Sequence, residues 1–195
     1  MSDKRYNDRI ERLRSPERIA RYQIEQMIGH CLEDAEIESV LDVGTGSGLF
    51  AESFYRKGLT VAGADVNPDM VEAAKDFVPF ARFETAPAEK LPFDDQSFDL
   101  VFMACVFHEV DDHVQTMRQA RRIARRRIAI LEYPYMDQPF GPPMHHRLKP
   151  EQVEAFAKQA GLDGMRTIEM TSVNLYIFDV ACGINQKGPY DEPLL

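Results

Sequence analysis

No stretch of this 195-residue sequence approaches the run of about 18–20 apolar residues that crosses a bilayer. The opening residues Met1-Ser2-Asp3-Lys4-Arg5 also lack the apolar core of a signal peptide. Together these absences read as a soluble, cytoplasmic chain with no membrane partner. Cysteine is scarce: Cys31, Cys105 and Cys182 stand far apart, with no CxxC pair, which argues against a disulfide framework and a zinc site. There is no excess of basic charge. Twenty-three Lys and Arg face 32 Asp and Glu, a net charge of −9, so a nucleic-acid backbone is not expected as the main partner. Repeats and low-complexity tracts are missing too. With 44% hydrophobic residues the chain can still fill a core, and its length suits one domain over residues 1–195.

What is present is an alternation of strand and helix patterns. Ser15-Pro16-Glu17 is a helix start, with a cap residue, Pro at the first helical position and an acid in the first turn. Ala20, Ile24, Met27, Ile28 and Cys31 follow at helical spacing and predict one helix behind an arm rich in Arg and Asp, the two occupying residues 1–38. Strands are expected at Ser39–Val43, Leu59–Ala64, Phe80–Thr85, Phe98–Ala104 and Arg127–Tyr133. The intervening helices are Leu49–Arg56, Pro68–Phe77 and Asp112 to about Ala124. A Pro-rich connection over residues 134–149 precedes a helix at Pro150–Ala160, and connections that long are often functional. Met165–Met170 and Asn174–Ala181 read as a final antiparallel pair. The whole predicts an α/β, Rossmann-like, doubly wound, mostly parallel sheet of seven strands with an antiparallel C-terminal strand.

Chemistry enters where the first strand ends. Val40-Leu41-Asp42-Val43 runs into Gly44-Thr45-Gly46-Ser47-Gly48. Gly44 and Gly46 allow backbone angles closed to other residues and leave room for a ligand, and Gly48 lets a helix pack closely. Dinucleotide folds use a GxGxxG variant. Here the spacing is GxGxG and Asp42 precedes it, an acid that repels pyrophosphate and suits a ligand with an ammonium group. Asp65 ends the second strand, 17 residues after Gly48, where a carboxylate can accept both ribose hydroxyls.

These residues carry a resemblance. From about Val40 to Tyr133 the chain resembles the class I S-adenosylmethionine-dependent methyltransferases, in the broad small-molecule group termed type 11. The motifs are Val40–Ala51, Gly63–Met70, and Ala88-Glu89-Lys90-Leu91-Pro92-Phe93-Asp94-Asp95 with Ser97-Phe98-Asp99, followed by Phe98–Val110 and its helix. Leu148-Lys149-Pro150-Glu151 through Gly161-Leu162 resembles the family's sixth helix. The resemblance implies S-adenosylmethionine as cofactor and a small-molecule methyl acceptor as partner. It places Asp42, Gly44, Thr45, Gly46 and Gly48 at the methionine moiety, Asp65 at the ribose and Val66 on the adenine. Ala88 and Glu89 then meet the adenine edge, and the Ala104 carbonyl meets the ammonium. Two departures stand out. Pro87 occupies a position where the family usually has Asp, and Ala124-Arg125-Arg126-Arg127 replaces a usual Pro-Gly-Gly before strand five.

Displacement at a sulfonium methyl needs proximity and a dry site more than a strong base, so the lack of an obvious catalytic triad is no objection. His108, just after the fourth strand, is the catalytic candidate, with loop ordering as its bland alternative. Cys105 reads as a small buried residue. His145-His146 lacks partners at metal-ligand spacing, and no metal is expected. Tyr133, Tyr135, Phe140 and Met144 are candidates for an apolar substrate wall, and Tyr22 for a lid over the cofactor. The Arg run from Arg121 to Arg127 reads as a solvated helix end. A nucleic-acid or protein substrate, or a cofactor-binding module without activity, are the alternative functions.

Overall fold

The computed structural model describes residues 10–180, so the beginning of the arm, Ala181 and Cys182 lie outside the described residues. Three helices come first: α1 (Ile10–Leu13), α2 (Pro16–Tyr22) and α3 (Ile24–Leu32). They are followed by β1 (Ser39–Val43), α4 (Leu49–Arg56), β2 (Thr60–Asp65), α5 (Pro68–Phe77), β3 (Arg82–Thr85) and β4 (Phe98–Ala104). The chain continues through α6 (His113–Ile123), β5 (Ala124–Glu132), α7 (Pro150–Gln159), β6 (Arg166–Glu169) and β7 (Asn174–Asp179). The strands form one seven-stranded sheet in the order β3-β2-β1-β4-β5-β7-β6. β7 runs antiparallel between β5 and β6, and the other neighbouring pairs are parallel.

Side chains alternate across each strand, which divides the core into two layers. Val40, Leu100, Phe102, Ala129 and Ile177 face α3 and α4, where Phe50 and Phe54 meet the ring of Phe102 at 5.3 and 5.2 Å. Leu41, Val101, Met103, Ile128 and Ile130 face α6 and α7 through Met117, Ala120, Val153 and Ala157. Caps fix the helix starts. The Ser15, Asn67 and Asp112 side chains accept from amides in the first turns of α2, α5 and α6.

Two sequence expectations are corrected. The single N-terminal helix breaks at Gln23, whose φ of 47° places it in the left-handed region. Its side-chain oxygen accepts from the Thr171 amide at 3.0 Å, a tertiary bond that helps offset the roughly 1–2 kcal/mol such a conformation costs. The apolar spacing runs on across the break, so periodicity does not reveal it. The second correction concerns the arginines. β5 begins at Ala124, directly after α6, and pairs Phe98 with Ala124 but Leu100 with Arg127. That is one extra residue on β5, a bulge within the Arg run. The solvated reading therefore holds only in part: Arg121, Arg125 and Arg126 are exposed, Arg122 is half-buried and Arg127 is buried, and Arg122, Arg125 and Arg127 also act as clamps to other elements. Arg122 donates to the carbonyls of Leu91 and Phe93, and Arg125 to Asp99 and Ser39. Arg127, only 3% exposed, donates to the carbonyls of Cys31 and Glu33 and pairs with Asp179. Asp99 also accepts from the amides of Glu38 and Ser39. Burial alone would push its pKa up, but Arg125 and these donors outweigh that and hold it near 2.

Candidate functional site

The strand order reverses between β1 and β4, and in such sheets ligands bind outside the carboxyl ends of the strands there. A cleft of about 1040 Å³, counting its open mouth, lies at that place. Gly44, Thr45, Gly46, Asp65, Val66, Ala88, Glu89 and Ala104 all line it. Two other residues implied by the resemblance do not. Asp42 is buried beneath the loop, and Gly48 caps α4, where an added Cβ would sit 3.0 Å from the Ala74 backbone of α5.

The loop is tied down from below and from the side. The amides of Gly44 and Thr45 donate to the Ala64 carbonyl, and the Gly46 amide donates to Asp65 Oδ2 at 2.8 Å. Asp65 Oδ1 accepts from the Asn67 amide. Gly44 has φ 70°, and a Cβ there would lie 2.5–2.9 Å from the Val106 side chain, so only glycine allows this approach of the loop to the segment after β4. Asp42 Oδ2 accepts from the Thr45 hydroxyl at 2.8 Å and the Ala51 amide at 3.2 Å. Its buried Oδ1 has no partner among the described residues.

Burial pushes the Asp42 carboxyl up to about 7, partly offset by those two donors, and burial raises Asp65 as well. A carboxyl whose folded pKa lies above its unfolded value of 3.8 keeps its proton longer when folded. Stability is therefore lost as pH rises from about 4 to about 7. Asp42→Asn is expected to shrink this loss, by an amount on the order of 3 kcal/mol. Urea unfolding at about pH 5 and about pH 8 measures it. An unchanged difference between the two pH values would show that Asp42 is not the group responsible.

The cleft fits S-adenosylmethionine on its charge chemistry. Its lining carries three carboxylates, Asp65, Glu89 and Glu109, against one arginine, Arg18, and the unpartnered oxygen of Asp42 lies under the loop. That balance favours a ligand with a sulfonium and an ammonium over one with phosphates. Two of these carboxylates already accept from backbone amides: Asp65 from Gly46 and Asn67, and Glu89 Oε1 from Asp111 and Asp112, which ties the cleft edge to the start of α6.

A second chamber, about 1710 Å³ counting the open solvent at its mouth, adjoins the first. Arg18, Cys105 and Glu109 line both. Its other walls come from α1, α2, the turn Phe107–Glu109 and the connection after β5, including Arg21, His108, Tyr133, Phe140 and His145. Of the candidate substrate wall, Tyr133 and Phe140 line it. Tyr135 is exposed and Met144 half-buried, and neither contributes. The connection is knotted around the buried Arg147, which donates to the carbonyls of Pro134, Met136, Phe140 and Pro142 and to the Gln138 side chain.

His108 is 5% exposed at the chamber wall. Its Nδ1 lies 2.8 Å from Glu132 Oε2, and its Nε2 3.6 Å from Glu109 Oε1. Burial pulls the imidazolium pKa down, but the Glu132 and Glu109 carboxylates more than compensate and the net shift is upward. Glu132 also accepts from the amides of His108 and Tyr133. Sequence reasoning missed Glu132. Its one signal is an acid at the end of the apolar run Ile128-Ala129-Ile130-Leu131, because a carboxylate buried there needs donors. Arg18 and Arg21 were missed as well. The Tyr22 and Tyr133 hydroxyls meet at 3.3 Å behind Cys105, whose φ of 55° makes it a strained residue at the junction of the two cavities.

Residues 41–128 match a family model described as a methyltransferase domain. Over 99 residues the chain is 36% identical to a demethylmenaquinone methyltransferase of Thermotoga maritima, covering 49% of this chain and 43% of that protein. The chain thus spans less than half of that relative's length. A solved S-adenosylmethionine-dependent methyltransferase from Aquifex aeolicus superposes with a TM-score of 0.78 at 23% identity, covering 88% of this chain and 96% of that one. A Haemonchus contortus phosphoethanolamine N-methyltransferase, solved with phosphomonomethylethanolamine and S-adenosylhomocysteine, superposes with a TM-score of 0.66 at 17% identity over 81% of this chain and 52% of that one.

Proposed function

We propose that the chain is a class I S-adenosylmethionine-dependent methyltransferase, a reading supported by the methyltransferase-domain match and the curated relatives, and that it transfers a methyl group to a small-molecule acceptor held in the second chamber. The observation that carries this reading is the junction of the two cavities, with Arg18, Cys105 and Glu109 common to both. When bound, S-adenosylmethionine supplies an activated methyl on a good leaving group. The loop Gly44-Thr45-Gly46 would hold its methionine end, with Asp42 and Gly48 fixing the loop from beneath and behind. Asp65 would take the ribose, Val66 and the Ala88–Glu89 edge the adenine, and the Ala104 carbonyl the ammonium.

The acceptor's proton is assigned to His108. Glu132 fixes the imidazole through Nδ1 and leaves Nε2 as the atom that can accept. Because the net shift of His108 is upward, the ring is charged at the low end of the neutral range and cannot accept there. The rate therefore rises as pH passes a value above 6.5. His108→Gln is expected to lower kcat by roughly a hundredfold and to leave product affinity unchanged, because His108 does not line the first cleft. Calorimetry with S-adenosylmethionine and S-adenosylhomocysteine tests the foundation, and a chain that binds neither is not a methyltransferase. Release of S-adenosylhomocysteine across a metabolite panel, followed against pH, tests the rest.

A further inference from the structure

The two adjoining cavities differ in charge. The first is lined by three carboxylates and one arginine. Among the described residues the second reverses this, with Arg12, Arg18 and Arg21 against one carboxylate, that of Glu109. Glu109 lies 3.6 Å from His108 Nε2, and Glu132 is already bound to Nδ1 of the same ring. The acids near the chamber are thus turned toward the imidazole. In a chain of net charge −9, three arginines thus share one wall beside the cleft. Arg21 is half-buried, and its guanidinium lies over the Phe140 ring at 3.9 Å, which holds the group against an aromatic surface. A guanidinium carries its N–H donors in a fork that suits a carboxylate or a phosphate, and that of Arg21 already reaches the Tyr133 hydroxyl on one side.

We propose that the chamber takes a methyl acceptor bearing an acidic group, a carboxylate or a phosphate, on a planar or apolar body. Arg21 binds the anion, Arg12 and Arg18 set the surrounding positive field, and Tyr133 and Phe140 pack against the body. The inference rests on the methyl-transfer reading for the word acceptor. The anion preference itself rests on the chamber alone.

The test uses the full chain, with and without saturating S-adenosylhomocysteine, titrated with 4-hydroxybenzoate, phenyl phosphate and the neutral 4-hydroxybenzamide. At least one anion is expected to bind about tenfold more tightly than the amide, and which one does so separates carboxylate from phosphate recognition. Arg21→Gln should abolish the preference, Arg21→Lys should keep most of it, and S-adenosylhomocysteine affinity should stay constant in both, since Arg21 does not line the cofactor cleft. Equal affinities for anion and amide, binding by none of the three, or a preference that survives Arg21→Gln each overturns the proposal. Failure of S-adenosylhomocysteine to bind sinks the methyltransferase reading instead, and the titration without it still decides the anion preference.

Discussion

Asp65→Ala is expected to weaken S-adenosylhomocysteine binding by about a hundredfold, or ~2.7 kcal/mol. Two losses combine. The carboxylate accepts the Gly46 amide at 2.8 Å and the Asn67 amide at 2.9 Å, so its removal loosens the loop. It also lines the cleft, and there it is the acceptor we propose for the ribose hydroxyls. Hydrogen bonds to a charged group contribute roughly 1.5–3 kcal/mol each, so losing the ribose contacts already accounts for most of the effect. Asp65→Asn keeps one acceptor oxygen and should fall between. Asp69→Asn, on α5 and outside the cleft lining, should bind as the parent does. Calorimetry on the three variants decides the matter, and undiminished affinity in Asp65→Ala would remove this residue from the cofactor site.

Arg127→Met should destabilise the fold by about 3 kcal/mol, which for a domain of this size lowers Tm by roughly 6–12 °C. The ion pair is the lesser part of this, because Asp179 is 59% exposed and screened. The larger part is the pair of carbonyls at the end of α3, those of Cys31 and Glu33, which lose the buried guanidinium that joins them to β5. Arg126 is a half-exposed neighbour, 3.7 Å from an exposed Glu36 and 3.5 Å from Asp99, whose carboxylate Arg125 and the Glu38 and Ser39 amides already hold. Arg126→Gln should stay within about 0.5 kcal/mol. Urea unfolding of the two variants separates a buried clamp from a surface charge, and equal stabilities would contradict the clamp.

That contrast marks what could be read beforehand. From composition alone Arg125, Arg126 and Arg127 are alike, and a run of like charges is ordinarily a solvated face. A bulge that no local pattern announces sends Arg125 to Asp99 and Arg127 beneath α3. The Gln23 break is hidden for a related reason, because a left-handed residue is held there by the distant Thr171 amide while the apolar spacing continues. In contrast, Ser39–Val43, Leu49–Arg56, Pro68–Phe77 and Phe98–Ala104 have the same limits in structure as in sequence. Each carries its own start and stop in adjacent residues, such as Asn67-Pro68 or the glycines after Val43.

By itself, then, the sequence determined the parallel sheet, the glycine loop with Asp65 near it, and the kind of ligand that loop can hold. These depend on neighbours a few residues apart, where backbone angles and side-chain alternation act directly. Tertiary structure decided that Asp42 lies under the loop and not in the cleft. It joined Glu132 to His108 across 24 residues and set Arg21 over Phe140 across the chamber. Those partners meet only when the strands' carboxyl ends and the connection after β5 are brought together. Burial there gives isolated charges a cost that only such distant partners relieve.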